Sequence, residues 1–142
     1  MKKILILALG ALAMISCAKQ PCDARHTCWA YDATIYELNT RQATPEGTFA
    51  AAEALLPEIK ESGVDIIWIM PIQKIGVLER KGTLGSYYAI TDYCEFNPEF
   101  GTRADFEHFL AKAHELGMKV ILDWVANHTA PDSEWTKNEG WH

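Results

Sequence analysis

Asp123, Asn127 and His128 set a carboxylate, an amide and an imidazole in one short segment, directly behind the apolar run Val120-Ile121-Leu122. A carboxylate accepts hydrogen bonds, an imidazole can donate or accept, and an amide carbonyl can ligate a hard cation. The trio therefore suits sugar hydroxyls or an oxygen-ligating ion such as Ca²⁺. A plainer reading stays open: Asp123 and Asn127 satisfy backbone amides of their own loop, and His128 lies on the surface. The cysteines Cys17, Cys22, Cys28 and Cys94 have none of the usual spacings of zinc ligands.

The elements that must hold these groups can be read from periodicity. Residues 33–38 (ATIYEL) have strand composition, and residues 39–47 supply Asn, Thr, Pro and Gly as loop. Ala52, Leu55, Leu56 and Ile59 fall on one helical stripe that Gly63 can stop, with Pro57 demanding a kink or break. Residues 64–70 (VDIIWIM) are almost continuously apolar, as in a strand covered on both faces, which puts Trp68 in the core. Residues 72–101 show no helical period and predict a long loop excursion. Thr102 can cap a helix with Phe106, Phe109, Leu110, Ala113 and Leu116 on one face, ended by Gly117, and residues 118–124 (MKVILDW) read as a third strand. Strand, helix, strand, helix, strand implies an α/β fold with parallel crossovers, in which ligands gather at the carboxyl ends of the strands. Asp123, Asn127 and His128 sit at such an end.

The chain has 142 residues, 49% of them hydrophobic, and a net charge of −6, so disorder and nucleic-acid binding are both disfavoured. Lys2 and Lys3 precede an apolar run over 4–15 that is too short to span a bilayer and fits a secretory signal over 1–16. Met14-Ile15-Ser16-Cys17 resembles the lipobox of bacterial lipoproteins, which implies lipidation of Cys17 and an exported protein held at a membrane, periplasmic or cell-surface, by a tether over 17–32. Cys22, Cys28 and Cys94 are then an odd set, and a bridge between Cys22 and Cys28 is one possibility. The oligomeric state is not indicated.

ILDWVANHT (121–129) resembles the first signature segment of the α-amylase family of glycoside hydrolases. GSYYAITDY (85–93) resembles the loop before that strand, NPEFGT (97–102) the lead into the next helix, and TIYELNTRQATPEGTF (34–49) with GVDIIWIMPI (63–72) the first two barrel strands. The resemblance implies a partial (β/α)8 TIM barrel. Residues 33–128 would supply its first three strands, with the long loop before the third, and residues 129–142 the start of an inserted second domain. It implies that Tyr88 stacks on the sugar ring beside the cleaved bond, that His128 hydrogen-bonds hydroxyls of that sugar, and that Asn127 ligates a structural Ca²⁺ found in many members. Asp123 and Asp92 would order the rim. Tyr87 stands where the family commonly carries proline.

The family works by retention on α-linked glucans such as starch and maltodextrin, using two carboxylates about 5–5.5 Å apart. It places its nucleophile, acid and third aspartate after the fourth, fifth and seventh strands, so no catalytic carboxylate is expected among these residues. The expectation is thus the N-terminal part of an exported enzyme of carbohydrate metabolism, inactive by itself. Two alternatives are a transglycosidase of the same family and a non-catalytic sugar-binding surface lipoprotein. Trp135 and Trp141 are open between stacking on sugar and packing within the second domain.

Overall fold

A computed structural model describes residues 27–137. The signal segment, Cys17, Cys22 and Trp141 lie outside the described residues. The chain divides into two units, the first ending at Asp32. Of the first, Cys28–Ala30 form a 3₁₀ turn, and Cys28 is disulfide-bonded.

The second unit is built on strands β1 (Ile35–Leu38), β2 (Ile66–Ile69), β3 (Gln73–Ile75), β4 (Ile90–Phe96) and β5 (Lys119–Leu122). Its helices are α1 (Thr40–Ala43), α2 (Phe49–Glu53), α3 (Leu56–Glu61) and α4 (Arg103–Glu115). β1, β2 and β5 form one parallel sheet in the order β1-β2-β5, in register Leu38–Ile69–Leu122. The alternation read from the sequence is therefore realised as parallel crossovers.

The apolar stripe at 52–59 is carried by two short helices. Pro57 stands in the first turn of α3, where no N–H is needed, so the expected break falls between α2 and α3. Ala52, Leu56 and Ile59 are buried. Thr102 caps α4 in a reciprocal box: its hydroxyl accepts from Asp105 N–H at 3.3 Å, and the Asp105 carboxylate accepts from Thr102 N–H at 2.7 Å. Phe106 and Phe109 of α4 are buried with Phe49 and Phe100, and Phe96 packs half-buried against them, the Phe49 and Phe106 ring centroids lying 5.3 Å apart. This aromatic layer covers the sheet face carrying Leu38, Ile67 and Ile69.

Two expectations need correction. Among the described residues Trp68 is 39% exposed and not packed in the core, because the period-2 pleat turns it away from the helix-covered side of Ile67 and Ile69. It sits in register with Ile121, and Ile35 shares that face, at 44% and 53% exposure. Residues 72–101 are not one loop. They contain the antiparallel pair β3–β4 and a 3₁₀ turn at Pro98–Phe100. Register shifts on either side of Lys74 interrupt that ladder, and the polar residues of β4 erase the alternation that would have revealed it.

Candidate functional site

The site forms at the carboxyl end of the parallel sheet. Asp123 follows β5 directly, and its N–H continues the ladder by donating to Ile69 O at 2.9 Å. That fixes the backbone while the side chain leaves the sheet. Its Oδ2 accepts the Tyr88 hydroxyl at 2.9 Å. The bond to Asp123 raises the Tyr88 phenol above its usual range, helped by burial and by the charges of Asp123 and Glu37. Residues 35 positions apart thus meet on one rim.

His128 joins the same group. Its Nε2 lies 3.0 Å from Tyr88 O, and its Nδ1 lies 3.2 Å from Asn127 Nδ2. A carbonyl only accepts and an amide nitrogen only donates, so this arrangement assigns the ring proton to Nε2 and the lone pair to Nδ1. Both ring nitrogens are engaged within the protein. The structure therefore brings Tyr88, Asp123, Asn127 and His128 together, and their side chains are half-buried or exposed. The Asp92 carboxylate accepts from Cys94 N–H at 2.8 Å through Oδ1, within β4.

Asn127 offers one amide oxygen toward a cation. Ca²⁺ takes six to eight oxygens, and among the described residues no three His, Cys, Asp or Glu side chains group to hold a metal. The Asn127 amide oxygen would be one ligand of such an ion, with the remaining oxygens supplied by other groups.

Three further residues support the rim. Tyr93 O–H lies 2.6 Å from Val125 O and 2.9 Å from His128 O, so its single proton is shared between carbonyls at the two ends of the loop bearing Asn127 and His128. Burial raises its phenol above the usual range. The Tyr93 ring stacks on Trp135 with centroids 4.8 Å apart and tilts against Trp124 at 5.1 Å, so one face of Trp135 packs on Tyr93. An open cleft of 460 Å³ beside them is lined by Tyr93, Trp124, Asn127, His128 and Trp135. Asp132 accepts from Val77 N–H at 2.8 Å and Leu78 N–H at 3.2 Å. The Val77 bond holds its carboxyl below the usual range. A Cβ on Gly76 would stand 2.3 Å from Asp132 Oδ1, so this approach requires glycine. Arg41 is the third: its guanidinium donates to the Gly85 and Leu84 carbonyls shortly before Tyr88. The aromatic residues of GSYYAITDY were the available signal for Tyr93; nothing local distinguishes Asp132 or Arg41.

The family described as "Alpha amylase, catalytic domain" matches residues 32–141. The alpha-amylase MalA of Haloarcula japonica is 37% identical over 116 residues, covering 80% of this chain and 16% of its own. The alpha-glucosidase of Apis mellifera is 30% identical over 140 residues, 95% of this chain and 23% of its own. An alpha-amylase structure from Lactobacillus plantarum superimposes with a TM-score of 0.75 at 52% identity, over 77% of this chain and 26% of that one. The chain thus spans about a quarter or less of the length of these relatives. It belongs to the alpha-amylase family, and its Tyr88–Asp123–His128 rim lies within the matched catalytic domain.

Proposed function

We propose that these residues form the opening arc of a (β/α)8 barrel in a glycosidase that hydrolyses α-linked glucans with retention. The supporting observation is the convergence of Tyr88, Asp123 and His128 at the carboxyl end of the parallel strands, where barrel enzymes assemble their sites. In this reading Tyr88 presents its ring to the sugar beside the scissile bond, Asp123 holds that ring through the phenol, and His128 meets sugar hydroxyls. The nucleophile and acid come from later strands, and residues 129–142 open an inserted domain clamped to the hairpin loop by Asp132. Residues 1–16 direct export, and residues 17–32 tether the domain to a membrane through lipidated Cys17.

The test is the stereochemistry of cleavage. Full-length protein incubated with maltotetraose and followed by ¹H NMR should release the α-anomer first, because two displacements at one carbon restore its configuration. Initial release of the β-anomer, or no cleavage, would overturn the proposal.

A further inference from the structure

Position 87 lacks the fixed φ of proline, and other contacts constrain the segment leading to Tyr88. Tyr87 packs half-buried against the core, and its hydroxyl accepts from Asn39 Nδ2 at 2.9 Å. The Arg41 guanidinium carbon stands 4.6 Å from the Tyr87 ring centroid. The same guanidinium donates through Nη1 to Gly85 O at 3.1 Å and through Nη2 to Leu84 O at 3.2 Å. It also pairs with Glu99 Oε2 at 2.9 Å, with the Arg41 side chain only 13% exposed. Gly85 adopts φ +67°, a left-handed turn, while its carbonyl accepts from Arg41.

These contacts converge on a stretch rich in glycine, which would otherwise have wide backbone freedom. One planar fork engages two successive carbonyls, a carboxylate and an aromatic face, which an ammonium at the end of a flexible stem cannot reproduce. Arg41 follows β1, so the clamp ties the loop before Tyr88 to the end of a sheet strand.

We propose that Arg41 is a positioning residue for Tyr88: by fixing Leu84, Gly85 and Tyr87 it holds the Tyr88 ring beside Asp123 without itself touching sugar. Its kinetic consequence rests on the assignment of Tyr88 to sugar binding made above. Selectivity for Arg over Lys at this position follows from the fork.

The experiment places 3-fluorotyrosine at position 88 of the full-length protein. Arg41→Ala should shift or broaden the ¹⁹F signal by more than its linewidth, and Arg41→Lys should restore it only partly. A ¹⁹F signal unmoved by Arg41→Ala overturns the proposal. In kinetics on maltotriose, Arg41→Ala should lower kcat/KM about tenfold in the parent but less than about twofold in a Tyr88→Ala background, since the pair acts as a unit. Equal losses in both backgrounds would also overturn it. Parental kcat/KM in Tyr88→Ala would sink the assignment of Tyr88 to sugar binding, and the ¹⁹F comparison would still decide the clamp. Should Arg41→Ala fail to fold, Tyr87→Leu removes the aromatic face while keeping apolar contact, and the same spectrum is read.

Discussion

Replacing Tyr88 with Phe removes one hydroxyl and keeps the ring, so it isolates the bond to Asp123. That bond is 2.9 Å long and runs from a phenol to a carboxylate. Hydrogen bonds to charged groups contribute about 1.5–3 kcal/mol net. Both residues are only half-buried, so water can re-solvate Asp123 in the variant, and the low end, about 1.5 kcal/mol, is the appropriate figure. If the transition state depends on the ring's position, this corresponds to roughly tenfold in kcat/KM. Tyr88→Ala also removes the ring and should lose about 0.5–1.5 kcal/mol more in aromatic contact. The assay is steady-state hydrolysis of maltotriose by the full-length protein. Denaturant unfolding across alkaline pH supplies a second readout. The folded Tyr88 phenol lies above its ordinary value of 10.0. Its contribution to stability is therefore complete below the unfolded value and is lost as pH rises through the folded one. The stability gap between parent and Tyr88→Phe should accordingly close in strong alkali. Equal kcat/KM in parent and variant, or a gap indifferent to alkali, would refute the reasoning.

Other expectations concern separate residues. His128→Ala in the full-length enzyme should lower kcat/KM by ~10- to 1000-fold, equivalent to ~1.4–4 kcal/mol of transition-state binding; unchanged kinetics would remove His128 from the site. Asp132→Asn should destabilise the protein at neutral pH. Because the Asp132 carboxyl is held below 3.8, that difference should persist above the ordinary value and fade as pH falls through the folded one. Urea unfolding at a series of pH values checks it, and a gap that widens in acid would contradict the assignment. Cys17→Ala should abolish metabolic labelling by a fatty-acid analogue, and persistent labelling would exclude the lipobox reading.

Local pattern carried much of the architecture. Ile66-Ile67 and Val120-Ile121-Leu122 announced strands because unbroken apolar runs resist other readings. Thr102, Phe106 and Phe109 announced α4 because a cap and an amphipathic stripe are both local features. Pro57 forecast the division between α2 and α3 for the same reason. What escaped depends on distant partners. Register shifts hid the hairpin, Trp68 faces away from the helices, and Tyr93 reaches carbonyls 32 and 35 residues downstream. The rim itself was partly legible: Asp123, Asn127 and His128 are neighbours in sequence, whereas Tyr88 entered through resemblance and joins them only by folding.

The engagement of both His128 nitrogens has an energetic consequence for ligand entry. A sugar hydroxyl reaching this imidazole must displace the Tyr88 carbonyl or the Asn127 amide, exchanging one polar partner for another. Such a swap gives little net enthalpy in the ground state, and the two bonds hold the imidazole in place before a guest arrives. Affinity would then come chiefly from flat contact between pyranose and phenol, while the imidazole governs which orientation of the guest is tolerated.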